Sequence, residues 1–580
     1  MSHEPANSQL QVPKWEKSLG SAGLICLFIA FIHVILTRLC WANIPLQTDT
    51  GMWAYIGGRI LNGALPYRDL WESKPPGVYY VFAAVEGLFG RFAVDALVWL
   101  DGAVSLAVLV VSYKVARLFG SALCSALATM LLSLVFCHRI IADWGNNVEK
   151  FVALFEMTAC WILLSSRQKS ANSRWVWLAA GGAMGLAGLF KQTGIAMLAA
   201  STVHTFWSCR VMGRKFSEAR RFVGLIWAGF AVIWLPVAIW LWVTGSWSGF
   251  VDQVLLYDVF RAASPTVEGS RLLTAEHWRS VGQSFRLGLI LFGPALIMLF
   301  AVLRSGLLMR KSNSNPMSPK AEFQRIGLTL VGLYAAAALV PSILAPHGYG
   351  HYLLQAAPPC AVLMASLLVL IGNGRASAAT RLVCLLSVIM GYFPIKDHLR
   401  FTFKGDTDNG AYASQRRRIS QLVKAIDQNT IADDHVMIWP PDYAVSYYAN
   451  RVTPLEFSNA DVLFKGKSYR LSPPMDQLLA RLKADPPEFI FDHTGIVLES
   501  SSEGPFVKVQ PAFSFLEEPV SEHPMLEGRL LAPLKRWVRK NYGGQSRAGP
   551  ATIYRRGQPW REWSDYLIEN GEFSTPRSAE

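Results

Sequence analysis

Residues 47–77 read QTDTGMWAYIGGRILNGALPYRDLWESKPPG. They follow directly on an apolar run, roughly residues 19–41, of the length of about 20 residues that an α-helix needs to cross a bilayer. One acid, Asp49, stands near the head of the stretch. Arg59, Arg68, Asp69, Glu72 and Lys74 come after it, interleaved with Trp53, Tyr55, Tyr67 and Trp71. A charged and aromatic loop of this kind, set between apolar runs, implies a membrane chain with a task at one of its surfaces.

The rest of the chain agrees. It has 580 residues, 52% hydrophobic and 17% charged, with a mean hydropathy of +0.27. A soluble domain carries about 25% charged residues and lacks repeated apolar runs near 20 residues long. Hydropathy predicts about eleven spans, at roughly 19–41, 93–115, 121–138, 150–165, 175–190, 193–209, 222–243, 285–304, 326–345, 352–371 and 380–395. The first span is read as an anchor, because no small-x-small cleavage site follows it.

The net charge of +14 does not call for nucleic acid, because the basic residues fall mainly in alternate short loops. These contain Lys114 and Arg117, then Arg167, Lys169 and Arg174, then Arg210, Arg214, Lys215, Arg220 and Arg221. Arg304, Arg310, Lys311, Lys320 and Arg325 follow, and then Arg375 and Arg381. By the positive-inside rule these loops are cytoplasmic, and Lys14 and Lys17 put the N-terminus there too. The opposite loops, among them 42–92, face the exterior. All eight cysteines lie in or beside apolar segments, without metal-type spacing, and read as small buried hydrophobes.

Past about Lys396 the composition turns soluble. DHVMIWPPDYAVSYYANRVTP reads as strand, turn and short helix, PPEFIFDHTG as a strand, and ATIYRRG as a last strand. Residues 500–550 read as loops. The expected organisation is a membrane domain over 1–395, with its exterior loop at 42–92, and a small α/β domain over 396–580. Within the loop, residues 50–61 have helical apolar spacing and read as an amphipathic helix on the membrane surface. Residues 77–89 read as a second interfacial helix, started by Pro75 and Pro76.

Several positions offer chemistry, each with a plainer alternative. Asp49 fits the N-cap of the 50–61 helix, and a carboxylate fixed there could also take a proton from an acceptor hydroxyl. Lys74, beside a rigid proline pair, suits an anionic head group or simple snorkelling. Glu149, next to Asn146 and Asn147, suits acceptor or metal binding, or helix capping. Lys191, in GLAGLFKQTGIAMLAA, is an ionisable group at an exterior turn between apolar segments, where a lipid phosphate is its natural partner. His347, Tyr349 and His351, in PHGYGHYLLQAAPP, suit a phosphate or sugar hydroxyl, since Gly348 and Gly350 oppose a regular helix that would set two histidines on one metal.

Taken in order, D-x-G-x-W-x-Y, PYRD-x-W-x-x-KPPG, N-x-E-K, FKQTG and HGYGHYLLQAAPP resemble the polyprenyl-phosphate-dependent glycosyltransferases of the C-type fold. The chain is similar to the bacterial relatives of dolichyl-phosphate-mannose–protein mannosyltransferases and, more distantly, to the lipid A aminoarabinose transferase, over roughly residues 20–395. The resemblance implies an inner-membrane enzyme with a polyprenyl-phosphate sugar donor and a glycan, lipid or protein acceptor. Transfer would be inverting and at the periplasmic face, where the C-terminal domain would also lie. Asp49 resembles the base, Glu72 and Lys74 the acid–lysine pair near the donor phosphate (here split by Ser73), and Lys191 the lysine that meets it. The 347–351 segment resembles a donor-proximal loop, and Arg59, Tyr67, Arg68 and Glu149 complete the substrate-binding set. A divalent metal is compatible with the sequence but not required by it. Two other classes share the general features: a transporter or flippase of a lipid-linked glycan, and a non-catalytic envelope assembly protein. Transporters usually show paired repeats and charges at mid-membrane, whereas here the charges gather at one face.

Overall fold

The computed structural model describes residues 14–42, 44–46, 48–142, 145, 147–168, 173–257, 275–307, 319–344, 349–374, 376–404, 411–439, 441–454, 474–493, 528–548 and 551–558. In chain order the helices are α1 (Lys14–Trp41), α2 (Thr48–Leu61), α3 (Gly77–Phe89), α4 (Val94–Ala116), α5 (Ala122–Phe136), α6 (Val148–Gln168), α7 (Arg174–Gly188), α8 (Ala196–Val211), α9 (Phe216–Val243), α10 (Trp247–Phe250), α11 (Ala275–Leu287), α12 (Leu289–Leu307), α13 (Pro319–Leu344), α14 (Ala357–Gly372), α15 (Ala378–Lys404), α16 (Ala411–Asn429), α17 (Tyr443–Ala449), α18 (Pro474–Ala484) and α19 (Gly528–Asn541). The strands are β1 (Val436–Trp439), β2 (Phe489–Asp492), β3 (Tyr542–Ala548) and β4 (Ala551–Arg556).

Each of the eleven apolar segments contains a helix. By length and composition five can cross a membrane: Gly20–Trp41, Val94–Ala116, Phe216–Val243, Pro319–Leu344 and Ala378–Arg400. A sixth span would join Trp278–Leu287 to Leu289–Arg304, which meet at a bend of 101°. The expected span at 285–304 therefore starts differently: an amphipathic helix ends at Gly288 and the apolar helix departs at a steep angle. The remaining five helices are shorter, such as α5 with 15 residues, or carry acids and bases, as α6 does.

The chain forms two compact units. One comprises Met1–Trp41, Val98–Pro236 and Thr266–Phe403. Its helices α7 and α9 approach closely at small residues. A Cβ on Gly181 would sit 2.0 Å from the Ile226 carbonyl oxygen, and one on Gly229 would sit 2.1 Å from that of Leu178. Only glycine permits this backbone contact, the usual way for apolar helices to gain packing where no hydrophobic drive separates protein from lipid.

The other unit comprises Ala42–Leu97, Val237–Pro265 and Lys404–Glu580. Loop 42–92 thus groups with the C-terminal residues, and the helix expected to end near residue 395 runs on to Lys404. The sheet has the order β1-β2-β4-β3, with β1 parallel to β2 and the other pairs antiparallel. Alternation along β1 sends Met437 and Trp439 to one face and Val436 and Ile438 to the other. The first face packs with Leu478 and Leu482 of α18, Leu534 and Val538 of α19, and Trp71 of the early loop. The second packs with Ile419, Leu422 and Ile426 of α16 and Val445 of α17. Helices cover both faces, as an α/β layer requires. The 528–548 part of the expected loop region is instead a helix and a strand, because Leu534 and Val538 fall on one helical face and bury there. Residues 500–527 lie outside the described residues.

Candidate functional site

Helix α2 carries Asp49. Residues 51–58 are all buried, so α2 is not the surface-lying amphipathic helix expected from its spacing. Glycine explains the difference. A Cβ on Gly51 would lie 2.7 Å from Ala444 Cβ of α17, and one on Gly57 would lie 2.8 Å from the Ala83 amide of α3. The helix is clamped between the two, and Tyr55 adds a ring contact to Tyr443 at 5.3 Å while its hydroxyl accepts from the Thr453 amide at 3.1 Å. The helix begins at Thr48, so Asp49 lies in its first turn and not at the expected cap. A carboxylate there still faces the positive end of the helix dipole.

Lys74 Nζ stands 3.9 Å from an Asp49 carboxylate oxygen and 3.9 Å from one of Glu72. It also lies 5.3 Å from the centre of the Trp53 ring. Both carboxylates are beyond hydrogen-bond reach of the lysine, so each of these two attractions is one of charge. Asp49 is 49% exposed at its side chain, while Glu72 is only 3% exposed. Glu72 is committed locally: it accepts from the Ser73 amide at 2.7 Å. Ser73 thus sits between acid and lysine as a tether.

The backbone around this group is fastened from several sides. The hydroxyls of Tyr67 and Tyr79 both donate to the Lys74 carbonyl, at 2.7 and 3.2 Å. Gln253, in the turn after α10, accepts from the Glu72 amide at 3.0 Å and donates to the Tyr67 carbonyl at 3.2 Å. Tyr67 itself has φ +67°, uncommon for a residue with a side chain, and its amide bonds to the Leu70 carbonyl at 2.8 Å. Burial, with the Glu72 charge adding to it, pushes the Tyr67 hydroxyl well above the usual phenol range, so it stays a neutral donor. Pro76 caps α3 as expected.

Arg68 is not part of the cluster: it makes a two-pronged pair with Asp69, at 2.9 Å for each prong, and Asp69 in turn accepts from the Leu65 amide at 2.8 Å. Arg59 is half-buried on α2, and its charge is felt at Arg481 of α18.

In the first unit Lys191 ends the turn after α7. Its Nζ donates to Glu149 Oε1 at 2.5 Å and lies 4.0 Å from the Tyr352 ring centre. Glu149 is buried in the first turn of α6. His351 lies near Glu149, and its ring stacks on Tyr349 at 5.4 Å. Residues 350–354 form a tight 3-10 turn, consistent with glycine opposing an α-helix here. His347 and Asn146 lie outside the described residues. No group of three His, Cys, Asp or Glu side chains able to hold a metal ion occurs among the described residues.

Sequence reading passed over three groups in this unit. Arg38, Asp101 and Lys150 form a buried charge cluster, with Arg38 Nη2 2.6 Å and Lys150 Nζ 2.9 Å from Asp101. His33, His138 and His398 pack together. Glu156 accepts from the Met197 amide and from Gln355, both at 2.9 Å. Their signal was available for all but His398: each of the others is an ionisable residue inside an apolar segment.

Residues 73–240 match the family model of dolichyl-phosphate-mannose-protein mannosyltransferases. That segment of the chain is similar to membrane glycosyltransferases. No curated protein matches the chain. Among solved structures it is similar in fold to the oligosaccharyltransferase AglB of Archaeoglobus fulgidus, solved with an inhibitory peptide and a dolichol-phosphate. That likeness has 13% identity, covers 94% of this chain and 74% of that one, and has a TM-score of 0.51. It is also similar to ArnT of Cupriavidus metallidurans bound to undecaprenyl phosphate, at 15% identity, with 76% and 85% covered and a TM-score of 0.50. The chain therefore has the C-type membrane fold expected from its motifs, with a small sheet region near its C-terminus.

Proposed function

We propose that the protein transfers a sugar from a polyprenyl-phosphate donor to an acceptor hydroxyl, with inversion, and that Asp49 is the base. The observation that carries this reading is the trio of Asp49, Lys74 and Glu72: one half-exposed carboxylate and one buried carboxylate, each 3.9 Å from the same lysine. Asp49 takes the proton of the acceptor hydroxyl as its oxygen attacks the anomeric carbon. The bond from that carbon to the phosphate oxygen breaks, and the phosphate leaves on its lipid. Its growing charge needs a cation, which Lys74 supplies. Glu72, tethered through Ser73, keeps Lys74 aimed. Lys191, within the first unit, is proposed separately to meet a lipid phosphate, exchanging its bond to Glu149 for one to a phosphate oxygen.

Charge placement in the loops supports an inner-membrane orientation with the N-terminus cytoplasmic and the 42–92 loop and C-terminal domain periplasmic. The donor class is supported by the family segment and by the dolichol-phosphate and undecaprenyl phosphate held by structures of similar fold.

The test is transfer by the purified protein in lipid nanodiscs, supplied with a panel of polyprenyl-phosphate sugars and soluble glycan, lipid and peptide acceptors. Product with the inverted anomeric configuration is expected. Product of retained configuration, or transfer from a nucleotide sugar with no lipid carrier, would defeat the reading.

A further inference from the structure

Helix α6 presents two acids seven residues apart, Glu149 and Glu156, a spacing that puts both on one helix face. Glu149 holds Lys191. Glu156 lies two turns further into the helix, fully buried, and has no ion-pair partner among the described residues. Its carboxylate is satisfied by neutral donors. Oε1 accepts from the Met197 amide at 2.9 Å, at the start of α8, and Oε2 accepts from Gln355 Nε2 at 2.9 Å. The buried Tyr334 of α13 is a further neighbour. Gln355 Nε2 donates a second time, to the Thr193 carbonyl at 2.8 Å.

These bonds converge on the two segments that define the surroundings of Lys191. Thr193 lies in the 3-10 turn that begins one residue after the lysine, and Met197 follows that turn. Gln355 follows the turn that carries Tyr352, and Ser342 of α13 secures that turn by donating to the Tyr352 carbonyl at 2.7 Å. Lys191 touches Glu149 on one side and the Tyr352 ring on the other, so its position depends on the spacing of these two segments. One carboxylate bridges them. A buried acid without a countercharge is costly, and apolar neighbours would pack α6 at less cost.

We infer that Glu156, with Gln355, is a positioning residue for donor binding: it sets the Lys191 turn against the Tyr352 turn so that Lys191 can meet a lipid phosphate. The inference rests on the proposed role of Lys191, and the test separates the two. Binding of undecaprenyl phosphate to the intact protein in nanodiscs is measured for wild type, Lys191→Met, Glu156→Gln and Gln355→Leu, together with unfolding midpoints and the KM for donor and for acceptor. Glu156→Gln keeps the volume and the acceptor for Met197, but sets amide donor against amide donor at Gln355.

Roughly tenfold weaker binding is expected for Glu156→Gln and Gln355→Leu, within the range by which coupled sites usually influence each other. The donor KM should rise while kcat at saturating donor and the acceptor KM stay near wild type. The exchange Glu156→Gln with Gln355→Glu restores the carboxylate–amide pair but leaves the Thr193 carbonyl without its donor, so it should recover only part of the loss. Wild-type binding in both single variants, while Lys191→Met loses binding, would overturn the inference and leave the role of Lys191 standing. Wild-type binding in Lys191→Met would overturn that role itself. A fall in midpoint and kcat together with a rise in both KM values, unrescued by the exchange, would reduce Glu156 to a structural part and also overturn the inference.

Discussion

Replacing Gly51 by alanine sets two opposed effects against each other. Alanine inside a helix gains about 1 kcal/mol over glycine. The added methyl, however, would stand 2.7 Å from Ala444 Cβ, 2.8 Å from its Cα and 2.9 Å from its amide nitrogen. Carbon atoms pack best at about 3.5–4.0 Å, so α2 and α17 must part by on the order of 1 Å. Two of the three clashing atoms are backbone and cannot swing aside, which puts the cost near the upper end of the 1–3 kcal/mol typical of overpacking. The net expectation is a loss of about 1–2 kcal/mol. Asp49 lies two residues away, and a displacement of about 1 Å at a reacting group can lower a rate by about 100-fold. Gly87→Ala on α3 is the matched control, because its nearest neighbour would be Leu61 Cδ2 at 3.6 Å. Unfolding midpoints and transfer rates of both variants in detergent provide the assay. The midpoint should fall for Gly51→Ala and rise for Gly87→Ala. A midpoint that rises in both, with the Gly51→Ala rate unchanged, would refute the clamped helix.

Two further outcomes follow from the loop that holds Lys74. Gln253→Leu leaves the Glu72 amide and the Tyr67 carbonyl without their shared partner, so stability should fall by about 1–3 kcal/mol in chemical denaturation, and Gln253→Glu, which keeps only the bond to Glu72, should fall between. Asp69 gives the acid side of the stability profile: burial works to raise its carboxyl, but the hydrogen bond from Arg68, then that from the Leu65 amide, hold it below the usual range. A depressed folded value means stability that is present above about pH 4, the unfolded range of an aspartate, and is lost as the pH falls through the folded value. Arg68→Ala should flatten that acid slope, and an unchanged slope between roughly pH 5 and 3 would count against the pairing.

Much of the architecture was legible in the sequence. Apolar runs predicted about eleven spans; each run holds a helix, of which five, or six with the bent pair, are long and apolar enough to cross among the described residues, and Pro76, β1, β2, β4 and the short helix α17 stand where turn and strand signals placed them. What was not legible was contact. Residues 51–58 have helical apolar spacing on one side only, and glycines at 51, 57 and 58 look like weakness in a helix until close neighbours are seen. The bend before α12 hides for the same reason, since Gly288 within a long apolar pattern does not announce a turn of 101°. Among candidate site residues, Asp49, Glu72, Lys74 and Tyr67 share one neighbourhood, and Glu149, Lys191 and His351 another, each assembled from segments whose motifs could be read singly. Gln253 and Gln355 could not be found that way. A neutral amide carries no charge signal, and its value here lies in two hydrogen bonds that exist only once distant segments meet.

Asp49 carries the central claim, and single-turnover transfer by Asp49→Asn tests it most directly. Asparagine keeps the shape but cannot accept the acceptor's proton, and a general base contributes about 10²–10⁴-fold. Binding of undecaprenyl phosphate should change by no more than about fivefold, because a half-exposed ion pair is worth about 1 kcal/mol or less. The account predicts a rate lowered by at least 100-fold with folding and lipid binding retained. A folded Asp49→Asn protein that transfers sugar at the wild-type rate would contradict it.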